Sequence, residues 1–402
     1  MATPHSIARP KMQVPMLDLG RQYASIREEI LQAVARVLES QHFVLSEEVV
    51  AFESEAAAFI GTSDAIGCAS GTDALWLALA ACDVQPGDVV LTTPFSFFAS
   101  ASSIVRAGAR PLFTDIDPAT YNLDPAKAEA RLQQIRGTRL SALMPVHLYG
   151  QCADMDAFRE LAQEFKLALV EDAAQAFGAT WRGARAGSLA TAAGFSFYPT
   201  KNLSAAGDAG CVTTADPAIA DKVRSLRNHG ITQRYHHDEM GWNSRLDVVQ
   251  AAILRVKLKY VEKWNAQRRE RATEYHRLLS ATGVAERHVS EGAPVAVYPS
   301  SAAPVVLPHT AALASHIFHQ YVVRVERREE LRVFLADRGI RTEIYYPLPL
   351  HLQPALRYIG CTQGDFPEAE RAAQEVLALP MFPELTADEQ AYVVENIAEF
   401  YS

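Results

Sequence analysis

Residues 65–213 alternate short apolar runs with stretches of helical period, and this alternation restricts the fold more than any other feature of the chain. Seven runs read as buried strands: 65–69, 89–92, 111–114, 142–146, 167–170, 193–197 and 211–213. Helical patterns at 73–82, 99–107, 125–135 and 156–165 separate several of them. A strand that is apolar on successive residues hides both of its faces. The pattern therefore predicts an α/β fold with a mostly parallel sheet covered by helices on both sides. The last strands follow one another without a full helix between them, which predicts that one runs antiparallel.

Around this block the chain is organised differently. Residues 1–15 carry Pro4, Pro10 and Pro15 and read as a loose lead-in. Ile26, Ile30, Val34 and Val37 then mark an amphipathic helix, and a second helix follows at 47–59. Beyond a helix at 217–226, residues 246–279 keep a helical period with no breaker, which predicts one long connecting helix. Residues 284–315, rich in Ala, Ser, Pro and His, read as a linker. Strands at 319–325 and 340–346, with helices at 329–337, 368–376 and 387–400, complete a smaller α+β unit. The division expected is an N-terminal arm with helices (1–60), a large domain (61–245), a connecting helix (246–282) and a small C-terminal domain (283–402).

Two charged residues stand at ends of predicted strands. Asp172 closes the run Leu169-Val170-Glu171-Asp172, and Lys201 follows Ser196-Phe197-Tyr198-Pro199-Thr200, where Pro199 stops a strand. The C-terminal ends of parallel strands are where open α/β sheets place their ligands. A lysine that can bond a carbonyl and a carboxylate that can face a pyridinium nitrogen are what pyridoxal 5′-phosphate (PLP) requires. Each alone has a plain alternative, Lys201 as a solvated loop charge and Asp172 as a helix cap. Ser70-Gly71-Thr72-Asp73, between the first strand and a helix, suits a phosphate: Gly71 permits close approach, and a helix start presents free N–H groups. Ser196 adds a hydroxyl, and Thr93-Pro94-Phe95-Ser96-Phe97-Phe98 puts aromatic rings at the same sheet edge.

Charge and cysteine usage exclude other classes. A net charge of −9 and a pI near 5.8 argue against nucleic-acid binding. The five cysteines are scattered without a C-x-x-C pair, which argues against a structural metal site and for a reducing compartment. No apolar run reaches membrane-span length and no signal-peptide pattern opens the chain, so a cytoplasmic protein without membrane association is expected. A dinucleotide-binding oxidoreductase would need G-x-G-x-x-G after the first strand, where this chain has Ser70-Gly71-Thr72-Asp73-Ala74-Leu75.

Taken together and in order, these blocks resemble the PLP-dependent nucleotide-sugar aminotransferases of the DegT/StrS group. The matching text is Ser70-Gly71-Thr72-Asp73-Ala74-Leu75, Val146-His147-Leu148-Tyr149-Gly150, Glu171-Asp172-Ala173-Ala174-Gln175 and Ser196 through Leu203. It continues in Arg227-Asn228-His229-Gly230, Asn243-Ser244-Arg245-Leu246, Tyr345-Tyr346-Pro347 and His351-Leu352-Gln353, so the likeness spans about residues 16–400. The resemblance implies a fold-type I transferase with a mainly parallel seven-stranded sheet and a smaller C-terminal α+β domain. It implies Lys201 as the covalent lysine and Asp172 as the partner of the pyridine nitrogen. Gln175 falls beside the cofactor ring, and Gly71, Thr72 and Ser196 at its phosphate.

Phe98 corresponds to an aromatic stacker, and Asn243 to a residue that reaches the phosphate from the neighbouring subunit, which implies a homodimer with shared active sites. His147, Tyr149, His319, Tyr346 and His351 are candidates for the sugar side, with buried, internally bonded side chains as the alternative. The implied reaction moves an amino group from L-glutamate to a nucleotide-linked keto-sugar. The 345–353 block leans toward a 3-keto-6-deoxyhexose, with a 4-keto sugar as the alternative. Some relatives are sugar dehydrases with histidine at the lysine position, so Lys201 favours transamination; a non-catalytic PLP-binding homologue is the remaining reading.

Overall fold

The computed structural model describes residues 12–135, 139–286 and 303–402. Two helices come first, α1 (Leu19–Ser40) and α2 (Glu47–Ile60). The alternating region follows as β1 (Asp64–Cys68), α3 (Gly71–Ala81), β2 (Val89–Thr92), α4 (Ala99–Arg106) and β3 (Arg110–Phe113). It continues as α5 (Pro125–Gln134), β4 (Leu140–Leu143), α6 (Met155–Phe165), β5 (Ala168–Asp172), β6 (Ala192–Ser196) and β7 (Gly210–Thr214). All seven predicted strands join one sheet in the order β1-β7-β6-β5-β4-β2-β3. Strands β3, β2, β4, β5 and β6 pair in parallel, and β7 runs antiparallel to both β6 and β1, as the missing crossover predicted.

The sheet is closed on both faces because its strands are apolar on both. Helix α3 buries eight of its eleven residues, including Leu75, Trp76, Leu77 and Leu79, against β6, β7 and neighbouring helices. Gly194 in β6 allows this: a Cβ there would lie 2.8 Å from Leu75 Cδ2. On the opposite face Ile26, Ile30, Phe52 and Ile60 from α1 and α2 pack with Phe195 and Phe197 in one core cluster. Asp124 caps the N-terminus of α5 and Asp216 that of α7 (Pro217–Leu226), each followed by a proline at the first helical position.

The stretch expected to be one long helix is two: α7 (Pro217–Leu226) is followed by α8 (Val248–Leu258) and α9 (Val261–Ala281). Neither Gly nor Pro occurs at 246–279, so no local signal marks the break at Lys259 and Tyr260. Packing decides it. Helix α8 lies on α1 and α2, whereas α9 lies against the C-terminal helix. Tyr260 turns back to stack on Trp264 at 5.8 Å and to hydrogen-bond Glu29.

The small unit contains a four-stranded sheet, β8 (Ala285–Glu286), β9 (Val305–Val306), β10 (Tyr321–Val325) and β11 (Val376–Leu379), in that order. Helices α10 (Arg328–Asp337), α11 (Pro367–Glu375) and α12 (Ala387–Tyr401) cover it. Two expectations are corrected here. Part of the linker at 284–315 lies outside the described residues, but Val305–Val306 is a sheet strand because its two valines are buried against β10. Residues 340–346 form no continuous strand. Ile340 bridges Val14 and Glu343 bridges Ala378, while Tyr345 and Tyr346 are drawn toward the large unit.

Candidate active site

The carboxyl ends of β4, β5 and β6 and the start of α3 and α4 converge on Asp172. Its backbone is fixed on both sides, with Asp172 N–H donating to Pro145 O at 2.9 Å and His147 N–H donating to Asp172 O at 3.0 Å. The side chain is 3% exposed. Oδ2 accepts from Ser100 Oγ at 2.6 Å and Oδ1 accepts from the Ala174 N–H at 3.2 Å. Ser96 Oγ lies 2.7 Å from Ser100 Oγ, extending the polar chain. Burial raises the carboxyl's proton affinity above the usual range, and Ser100, Ala174 and the nearby Lys201 charge each act against it. Ser100 was missed in the sequence, although its place four residues after Ser96 at a helix start was visible.

Lys201 lies on the bend after β6. Its N–H donates to Tyr198 O at 2.8 Å, and Phe197 N–H donates to Ala209 O at 2.8 Å, closing the loop at its base. Burial pulls the ammonium down to about 8 from the ordinary lysine value, and the Asp172 charge opposes that pull. An amine of this kind is free of its proton in a useful fraction of molecules near neutral pH, which nucleophilic attack requires.

Ser70 caps α3 by accepting from the Asp73 N–H at 3.1 Å. The N–H groups of Gly71 and Thr72 stand in the first turn, where no helical acceptor exists. Gly71 is needed here, because a Cβ would lie 2.5 Å from Ser196 Cβ. Gly210 is needed for the same packing, since its Cβ would lie 2.3 Å from Ser70 O. Ser196 is thereby set directly beside the helix N-terminus, where an anion is favoured by free donors and by the helix dipole.

A third group closes the site from above. Gln175 Oε1 accepts from the Tyr149 N–H at 2.7 Å, and its Nε2 donates to Tyr346 Oη at 2.9 Å. Tyr149 is buried with φ 58°, and its hydroxyl donates to Tyr345 O. Phe97, 57% exposed, has its ring 6.1 Å from that of Tyr346. Phe98 is the N-cap residue of α4 and is less exposed, at 37%. The Phe95 ring lies 6.4 Å from that of Tyr346 as well, so two of the three phenylalanines flank this tyrosine and Phe98 stands at the start of the helix that follows.

The three histidines are each tied to the protein. His147 Nδ1 accepts from the Ala153 N–H at 3.1 Å, so Nε2 carries the proton and donates to Glu171 Oε2 at 2.9 Å. Glu171 also accepts from the Gly187 and Leu189 N–H groups, both at 2.8 Å. His319 Nδ1 lies 3.0 Å from Asn202 Oδ1 and therefore donates to it; burial lowers the ring's proton affinity well below the usual value. His351 Nε2 lies 3.0 Å from Glu370 Oε1, with its ring 4.7 Å from Phe366. Asn243 lies on the exposed surface, its backbone bridged to Asn228. The cysteines are all free, and among the described residues no His, Cys, Asp and Glu cluster could hold a metal.

The donor set fits PLP: a lysine with a lowered proton affinity, a buried carboxylate for a ring nitrogen, a helix start for a phosphate and an exposed aromatic face. Comparison with known proteins points the same way. The model of the DegT/DnrJ/EryC1/StrS aminotransferase family matches residues 24–398. A Geobacillus stearothermophilus protein named "Pleiotropic regulatory protein" is 48% identical over 390 residues, covering 97% of this chain and 99% of that one. The dTDP-3-amino-3,4,6-trideoxy-alpha-D-glucose transaminase of Streptomyces venezuelae is 42% identical, with 96% of each chain covered. Three further transaminases at 38–40% identity are likewise named for sugars aminated or oxidised at position 3. The crystal structure of S. venezuelae DesV superimposes with a TM-score of 0.88 at 41% identity, over 96% of this chain and 98% of that one.

Proposed function

Because the chain belongs to the DegT/DnrJ/EryC1/StrS aminotransferase family, whose cofactor is PLP, we propose that it transfers an amino group from L-glutamate to a nucleotide-linked 3-keto-6-deoxyhexose. The observation that carries the chemistry is the buried Asp172 carboxylate, bonded to Ser100 and near enough to Lys201 for each charge to influence the other. The choice of ring carbon is supported by the relatives named for 3-amino and 3-oxo sugars.

Lys201, Asp172, Gly71, Thr72, Gln175, Ser196 and Asn243 are the proposed cofactor residues, with Phe98 as the stacking ring. When bound, PLP supplies the carbonyl that accepts the amino group and a ring that takes up negative charge from the reacting carbon. Lys201 Nζ is the base that removes a proton from that carbon and the acid that returns it to the neighbouring position. Its lowered proton affinity allows both roles near neutral pH. Asp172, held as an anion by Ser100 and the Ala174 N–H, keeps a proton on the ring nitrogen opposite. The α3 N-terminus with Thr72 and Ser196 anchors a phosphate, fixing the distance to Lys201. Tyr346, bonded through its hydroxyl to Gln175, is the proposed aromatic contact for the sugar.

The homodimer is part of the proposal. Tyr235, Met240 and Trp242 are 79%, 82% and 52% exposed beside Asn243, an apolar surface that a second copy would cover. The test runs the reaction backward, with dTDP- and UDP-linked 3-amino and 4-amino sugars plus 2-oxoglutarate. Glutamate formation with the 3-amino sugar alone is expected. Glutamate with the 4-amino sugar alone would move the reaction to C-4, and turnover with free amino acids but no amino sugar would refute the sugar assignment.

A further inference from the structure

The segment after Lys201 is gripped by side chains from two consecutive helices. Asn202 Nδ2 donates to Asn265 Oδ1 on α9 at 2.7 Å. Lys257 Nζ on α8 donates to Ser204 Oγ at 2.9 Å. The Ala206 N–H donates to Gln250 Oε1, also on α8, at 2.7 Å. The grips fall on alternate residues of the loop. The residues between them, Leu203 and Ala205, are buried at 0% and 2% in the apolar core. The loop is therefore fixed by polar partners and apolar packing in turn, beginning at the residue next to Lys201.

Two of the grips are unusual in what they bury. Lys257 is 9% exposed, and among the described residues it has no carboxylate within ion-pair distance. Its ammonium is bonded to a neutral hydroxyl that is itself 1% exposed. Burying a charge in that way is unfavourable, and a methionine would fill the same volume without it. Packing therefore does not account for the amine. Asn265 is fully buried and is itself held, since Nδ2 donates to Phe177 O at 3.1 Å. Gly178, at φ +95°, makes room for it, because a Cβ there would lie 2.5 Å from Asn265 Nδ2. His319 adds a second bond to Asn202 from the small unit.

We propose that Asn265, Lys257 and Gln250 form a three-rung ladder that positions Lys201, aiming its amine without taking part in bond making. The proposal rests on the reading of Lys201 as the covalent lysine. Ser204→Ala and Lys257→Met each remove the middle rung from opposite ends. In the PLP-loaded enzyme each is expected to lower kcat by about ten- to a hundredfold, the scale of a misaimed group, with KM for the sugar changed less than about twofold. The double variant is expected to be no worse than the single ones, since both remove one interaction. Amide hydrogen exchange of residues 201–206, read on protein without PLP, is expected to accelerate in both. Multiplying losses in the double variant, a kcat loss that tracks a loss of folded protein, or unchanged exchange at 201–206 would overturn the ladder. Ser204→Ala keeps the test open should Lys257→Met not fold. Borohydride reduction that tags a lysine other than Lys201 would instead refute the functional reading, and the exchange measurement distinguishes the two failures.

Discussion

Replacing Ser100 by alanine removes one hydroxyl and asks whether Asp172 works as an anion. The Ser100 Oγ to Asp172 Oδ2 bond is 2.6 Å long, and the two residues are 1% and 3% exposed, so water does not take the hydroxyl's place without rearrangement. A hydrogen bond to a buried charged group is worth about 1.5–3 kcal/mol. At about 1.36 kcal/mol per pH unit, its loss corresponds to a rise of about 1–2 units in the Asp172 proton affinity. The sign follows from the bond itself, which stabilises only the carboxylate. Burial already raises the group, and removing the donor adds to that rise. The acid limb of log kcat/KM against pH is therefore expected to move up by about 1–2 units in Ser100→Ala, with the plateau above it changed less than about threefold. Ser96→Ala, which removes the next hydroxyl but not the carboxylate's donor, is the control and should move the limb by less than half as much. A Ser100→Ala enzyme that folds, binds PLP and keeps the wild-type acid limb would refute the anionic role of Asp172.

Lys201→Ala is expected to keep the fold and lose the borohydride-reducible PLP adduct, checked by peptide mapping; in the wild-type protein without cofactor, the rate of PLP attachment should rise with pH about a midpoint near 8, because only the deprotonated amine attacks. Phe98→Ala should weaken PLP binding by about 2- to 12-fold, the equivalent of roughly 0.5–1.5 kcal/mol of stacking, and Phe97→Ala by less, as read by equilibrium titration. Mixing inactive Lys201→Ala subunits with Asn243→Ala subunits should restore roughly a quarter of wild-type activity, since half of randomly exchanged dimers are mixed and each has one intact site. No recovery, with exchange shown independently, would place Asn243 outside the partner's site.

The sequence by itself determined the sheet. Seven apolar runs became its seven strands, because a strand buried on both faces must be apolar on successive residues, and that is a local property. Asp172 and Lys201 stood out as candidates for a related reason: charges just past buried strands lie at the edge where open α/β sheets place their ligands. Side-chain partnership across the fold was not legible. Ser100 reaches Asp172 over 72 residues, Asn202 reaches Asn265 over 63, and Gln175 reaches Tyr346 over 171, and no period or spacing encodes such meetings. The break between α8 and α9 has no Gly or Pro to announce it, since two packing surfaces impose it. The same holds for His147, His319 and His351, which read alike in the chain as polar residues near the site. Only the tertiary structure assigns them Glu171, Asn202 and Glu370, because a buried histidine takes whichever acceptor the packed fold leaves within reach.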